Sequence, residues 1–208
     1  MEWILMGDII KSRGKDQILV QIEFAKLISA CNAEFASSLK SKLTITLGDE
    51  FQGVLAEESA FPSILAWLEE NKWRLKVPIE MRYSLGFGEI STPINPEIAH
   101  GMLGSGLTQT REALNNLKSK AERVVMIGKI ENIELKQLVT DLYLSQIGTW
   151  KWKDRELLAT FFQHQDYKAV AEKLDKDTSL MWRRSNSLQI GTYFKMKETL
   201  FRLYQLPK

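Results

Sequence analysis

The stretch TITLGDEFQGVL, residues 44–55, decides how this chain is read. Apolar and polar residues alternate through residues 43–47, Gly48-Asp49 supplies turn chemistry, and residues 51–55 are again rich in apolar side chains. The pattern predicts a β-hairpin with two adjacent carboxylates, Asp49 and Glu50, at its turn.

Working outward, residues 3–6 form a short apolar run that ends in a second Gly-Asp pair, Gly7-Asp8, and reads as a buried strand. Leu19, Ile22, Phe24, Leu27, Ile28 and Phe35 then recur near helical spacing and predict an amphipathic helix over residues 17–39. After the hairpin, Ile64, Leu65, Trp67 and Leu68 mark a helix over residues 60–72. Pro78 opens a strand over residues 79–90, in which Gly86 and Gly88 invite close approach of another backbone. A helix from glycine at 104–117, a strand at 123–127 and a helix at 133–144 complete the order β-α-β-β-α-β-α-β. That order predicts an α+β fold with a ferredoxin-like βαββαβ core, its helices packed on one face of a mainly antiparallel sheet.

Gly-Asp taken singly is ordinary turn chemistry. In a βαββαβ sheet, however, the end of the first strand lies beside the hairpin turn, which would bring Asp8 and Asp49 close together. Like charges at short range need raised pKa values or a cation between them. Carboxylates with a backbone carbonyl, here that of Ile9, are suitable hard ligands for Mg²⁺ or Mn²⁺.

The 208 residues hold one cysteine, Cys31, and no cysteine/histidine cluster with metal-ligand spacing, so neither a disulfide framework nor a zinc motif is expected. The N-terminus lacks the basic region and apolar run of a signal peptide, and no eighteen apolar residues run together. The expected location is the cytoplasm, without a membrane partner. Charge is uneven: residues 1–149 carry 16 Lys+Arg against 19 Asp+Glu, whereas residues 150–208 carry 12 against 7. The change to basic composition sets the expected boundary, with one domain over residues 1–148 and a second over 149–208, facing either solvent or an anionic partner.

In the basic part, residues 154–162, 167–174 and 178–188 read as helices, with a tight turn at 175–177. Val170, Ala171 and Leu174 have the apolar-small-apolar pattern that lets two helices cross closely, and Asp177 or Thr178 is suited to cap the third helix. This is the order of a helix-turn-helix, with Trp182, Arg183 and Arg184 projecting from a DNA-recognition helix. A helical hairpin that packs on the first domain or makes a homodimer is the alternative. A last helix is expected over residues 193–203.

The segments ILMGDI (4–9), LGDEF (47–51), RYSLGFGE (82–89) and GSGLTQTREAL (104–114) resemble, in that order, the motifs of class III nucleotide cyclases, with a likeness to the diguanylate cyclase signature at the hairpin. Together with Gly-Asp-Ile-Ile-Lys-Ser-Arg near the start and the basic helical tail, the whole is most similar to the bacterial SatD family. The cyclase resemblance implies a palm-type sheet on which Asp8, Ile9 and Asp49 hold metal ions. It places Ile10, Lys11, Ser12, Arg13, Thr108 and Arg111 near phosphate and makes Lys11 and Arg111 the candidate catalytic cations. Glu50 is a further acidic candidate. Thr108 stands where those enzymes carry an asparagine, and Leu47 where the diguanylate signature begins with glycine. The reading is therefore a regulatory protein that binds a metal with a nucleotide or other phosphorylated small molecule and contacts DNA. An active nucleotidyl cyclase and a protein-interaction module without ligand are the alternatives.

Overall fold

A computed structural model describes residues 1–10 and 16–205. Its strands are β1 (Glu2–Ile9), β2 (Leu39–Ile45), β3 (Glu50–Leu55), β4 (Met81–Gly88) and β5 (Val124–Gly128). Its α-helices are α1 (Gln17–Glu34), α2 (Ala60–Asn71), α3 (Ser105–Leu117), α4 (Ile133–Gly148), α5 (Arg155–His164), α6 (Tyr167–Leu174), α7 (Thr178–Ser187) and α8 (Ile190–Gln205). The five strands form one sheet in the order β2-β3-β1-β4-β5, antiparallel throughout except for the parallel pair β4-β5. The fold is α+β.

The helix expected over residues 17–39 stops at Glu34. Asp16 caps its start, accepting a 3.1 Å hydrogen bond from the Leu19 amide, and the Phe35 amide closes its end on the Cys31 carbonyl. Leu39 then pairs with Leu55 on β3, so strand pairing overrides the helical spacing of the segment.

Alternation along the strands divides the sheet into two buried faces. Leu5, Ile9, Phe51, Leu55, Tyr83, Leu85, Val124 and Met126 point into a large core with α1, α2, α4 and α8. Ile4, Met6 and Val54 point the other way, into a smaller core with Leu107 and Leu114 of α3 and with Ala99 and Met102 of the loop before it. The two helices of the βαββαβ order, α1 and α2, share the larger face, whereas α3, between β4 and β5, covers the opposite one. The signal was present in β1, whose consecutive apolar residues Ile4-Leu5-Met6 suit a strand buried on both sides.

Glycines explain how α3 lies so close to the sheet. A Cβ at Gly86 would fall 2.0 Å from Thr110 Oγ1, and one at Gly88 would fall 2.4 Å from Gly106 Cα. The approach read from Gly86 and Gly88 in the sequence is thus real, and α3 is the element that makes it. Because β3, β4 and β5 run in the same sense and each crossover steps the same way across the sheet, helices on opposite faces give the two crossovers opposite hands. One of them is left-handed, an arrangement found in only about 2% of such units. The detour that permits it is residues 89–104, which cross to β2, where the Lys42 amide bonds the Pro96 carbonyl and Ser41 Oγ bonds the Asn95 carbonyl.

The C-terminal helices continue the larger core. Trp150 Nε1 donates to the Leu188 carbonyl at 2.8 Å, and Tyr193 Oη lies 3.0 Å from Tyr143 Oη and 2.5 Å from Glu70 Oε1 on α2.

Candidate functional site

Pairing between β1 and β3 sets Asp8 directly opposite Glu50, and pairing between β1 and β4 sets Asp8 opposite Arg82. All three side chains therefore leave the sheet on the face covered by α3. The helix runs from the Gly88 end of β4 toward the Arg82 end and places Arg111, then Lys118 two turns later, over the same corner.

The result is a compact acid–base cluster. Asp8 Oδ1 lies 2.7 Å from Arg82 Nε, and Asp8 Oδ2 lies 3.4 Å from Lys118 Nζ. Glu50 Oε1 lies 3.2 Å from the same Lys118 Nζ, and Glu50 Oε2 lies 3.6 Å from Arg111 Nη1. Each carboxylate oxygen thus faces its own cationic contact, and Lys118 bridges the two acids. The Asp8–Arg82 contact is close but poorly aligned, so neither Asp8 Oδ1 nor Arg82 Nε makes a proper hydrogen bond although both are buried. Burial raises the Asp8 pKa above its ordinary value by more than Arg82 and Lys118 lower it, and Glu50 adds to the rise.

Gln52, two residues along the same face of β3, braces the cluster. Its Nε2 donates to the Ala99 carbonyl at 2.6 Å, which leaves Oε1 to accept from Arg111 Nη2 at 3.3 Å. Access is graded: the Asp8 side chain is 4% exposed and that of Arg82 11%, whereas Arg111 reaches 37% and Lys118 45%. The acids sit at the bottom, and two cations sit at the mouth.

The two Gly-Asp pairs do meet through their backbones, since the Ile9 amide donates to the Asp49 carbonyl at 2.9 Å. Gly48 takes φ +82°, which completes the turn with Asp49 and starts β3 at Glu50. The strand register consequently sets the Glu50 side chain beside that of Asp8. Ile9 itself is buried in the larger core, and the Ile10 amide continues the pairing by donating to the Glu80 carbonyl. Thr108 is exposed on the first turn of α3, one turn before Arg111. Lys11, Ser12 and Arg13 lie outside the described residues. Arg82, Gln52 and Lys118 were not singled out from the sequence. Lys118 carried a usable signal, lying seven residues after Arg111 on the same helix face.

Among the described residues, no group of three or more His, Cys, Asp and Glu side chains is placed to hold a metal ion. The Asp8–Glu50 pair is already neutralised by protein cations on every oxygen, so in this arrangement it does not fit Mg²⁺ or Mn²⁺.

In the basic tail, Asp166 caps α6 by accepting from the Lys168 amide, and Asp177 caps α7 by accepting from the Leu180 amide at 2.8 Å. Asp175 occupies the turn between them at φ 50°, a left-handed position that glycine usually fills. Val170 and Ala171 are the buried residues of α6. On α7, Trp182 is 52% exposed and Arg183 faces solvent, whereas Arg184 Nη2 is held 2.6 Å from Asp154 Oδ1.

These features define an α+β protein with a five-stranded sheet, an acid–base cluster at one sheet corner and a bundle of C-terminal helices. The model of the SatD family matches residues 3–204, and the chain belongs to that family. A solved structure described as a bacterial light-regulated adenylyl cyclase is similar to it with a TM-score of 0.43 and 12% identity, over 60% of this chain and 42% of that one. No curated protein matches the chain significantly. Among the described residues, no helix is long and apolar enough to cross a membrane.

Proposed function

We propose that this chain is a two-part regulator. A nucleotide-cyclase-like palm takes a nucleotide or other phosphorylated ligand at the Asp8–Glu50 corner, and α6–α7 act as a helix-turn-helix that contacts DNA. The observation that carries the first half is the pair of half-exposed cations, Arg111 and Lys118, at the mouth of a buried, preorganised cluster. Arg111 is held by both Glu50 and Gln52, so its guanidinium is presented without a large ordering cost on binding. Phosphate oxygens are the acceptors that such a planar fork and a neighbouring ammonium recognise. The C-terminus of α3 disfavours an anion by about half a charge, which is outweighed by the net positive charge that Arg82, Arg111 and Lys118 leave over Asp8 and Glu50.

Binding fits this geometry better than turnover. Of the acids that the cyclase resemblance offers to metals, Asp8 is here engaged by Arg82 and Lys118, and the neighbouring Glu50 by Lys118 and Arg111. For the second half, the support is the well-capped α7 with Trp182 and Arg183 outward.

Calorimetric titration of the whole chain with a panel of nucleoside triphosphates tests the palm reading. Binding is expected for at least one of them, and Arg111→Ala should weaken it about tenfold, the loss of one charged hydrogen-bond partner. Failure of every triphosphate to bind would overturn the reading. A mobility shift that weakens with salt and diminishes in Arg183→Ala tests DNA contact, and its absence at low salt would remove that half of the proposal.

A further inference from the structure

Two carboxylates placed side by side at a sheet corner ordinarily call for a divalent ion, yet this cluster has satisfied the requirement from its own sequence. Asp8 is 3% exposed and Glu50 is 9% exposed, and they are direct cross-strand neighbours on β1 and β3. Left alone, the pair would repel itself in a poorly solvated place. The point where a bridging ion would sit, reaching one oxygen of each acid, is occupied by Lys118 Nζ, 3.4 Å from Asp8 Oδ2 and 3.2 Å from Glu50 Oε1. The two remaining oxygens are taken by Arg82 and Arg111.

We infer that Lys118 is a tethered counter-ion that takes the place of a metal, so that the Asp8–Glu50 pair works without a divalent cation. Three features of position support this assignment. Lys118 is the C-cap residue of α3, where the negative end of the helix favours a cation. Leu114 and Leu117, in the last turn before it, are buried, which fixes where that end of the helix lies. A lysine is also a compact point charge on a long stem, able to serve two acids at once and to swing outward toward an incoming phosphate without unfolding anything.

This inference deepens the phosphate-binding reading, but it stands on the unliganded cluster and is tested without any nucleotide. Manganese binding is followed by loss of the free-ion electron paramagnetic resonance signal in wild type, Asp8→Asn, Lys118→Met, Lys118→Arg, and Lys118→Met combined with Asp8→Asn. Wild type and Lys118→Arg should bind no stoichiometric Mn²⁺. Lys118→Met should gain one ion, bound at least tenfold more tightly than by wild type, and the added Asp8→Asn should abolish the gain. One Mn²⁺ bound by wild type and lost in Asp8→Asn would overturn the inference, and so would a folded Lys118→Met that gains nothing. Should Lys118→Met not fold, the wild-type ammonium resonance of Lys118 decides: it should not move on addition of Mg²⁺, and a shift that saturates at one equivalent contradicts the assignment. Failure of nucleotides to bind would leave each of these results unchanged, so the two readings fail separately.

Discussion

Neighbouring residues of β4 enter two ionic clusters of similar composition and different character. Tyr83 points into the larger core, where its hydroxyl donates to Glu69 Oε1 at 2.8 Å beside Lys72 Nζ and Arg123 Nη2, each 2.5 Å from Glu69. Arg82 points to the other face and joins Asp8, Glu50, Arg111 and Lys118. In the first cluster Glu69 on α2 and Lys72 at its C-cap are buried, and Arg123 also donates to the Met81 carbonyl. In the second, a single helix end forms the roof, and its two cations remain half open to water. Similar charges on one strand thus serve two purposes: the sealed set fixes how α2, β4 and β5 meet, and the open set keeps cations available for exchange.

The sealed set should respond most to mutation. Glu69→Ala leaves Lys72 and Arg123 buried without a counter-charge and is expected to cost about 3–5 kcal/mol. For a chain of this size that lowers Tm by roughly 6–20 °C, measurable by calorimetry. A loss no larger than that of a surface pair would break the comparison.

Gly88→Val attacks the roof of the open set. Its Cβ would meet Gly106 Cα at 2.4 Å, backbone against backbone, so α3 must shift. Overpacking of this kind costs about 1–3 kcal/mol. Hydrogen exchange should show α3 losing protection while α2 keeps its own, and equal loss in both would mean that the faces are not separable.

The two acids should also respond to pH with opposite signs. Burial pushes the Glu69 carboxyl up, but Arg123 and Lys72 outweigh it and hold the group below the ordinary value of 4.5. Glu69 therefore contributes stability that is present above 4.5 and is lost as pH falls through its folded-state pKa. Asp8 is raised by burial above the ordinary value of 3.8. Its contribution is complete below 3.8 and is lost as pH rises through the raised value. Denaturant unfolding as a function of pH should show Glu69→Gln removing the acid-side loss and Asp8→Asn removing the opposing slope. The same sign in both variants would contradict the assignment.

The smallest stability effect is expected at Arg111. Its half-exposed pair with Glu50 at 3.6 Å should contribute less than about 1 kcal/mol, so Arg111→Ala should melt close to wild type while losing ligand affinity.

Much of this was legible in the sequence, and the gaps have physical causes. The two Gly-Asp pairs located the corner, and the alternation through residues 43–55 gave the hairpin, because both signals are local. The Asp8–Glu50 partnership was not legible in the same way, since it depends on the register between β1 and β3, strands separated by a helix and another strand. A shift of one residue would have turned Glu50 to the other face. Arg82 and Gln52 were missed for the same reason: each is one polar residue in an otherwise ordinary strand until pairing shows which face it shares. The side on which α3 packs was hidden because short crossovers almost always keep one hand, and residues 89–104 provide the detour that escapes it.

The most direct test follows the lysine ammonium resonances of Lys72 and Lys118 together by nuclear magnetic resonance as a nucleoside triphosphate is added. The sealed-versus-open account predicts that the Lys118 signal moves and saturates with ligand while that of Lys72 stays where it is. A titration in which neither signal moves with any nucleotide, or in which both move together, would contradict it.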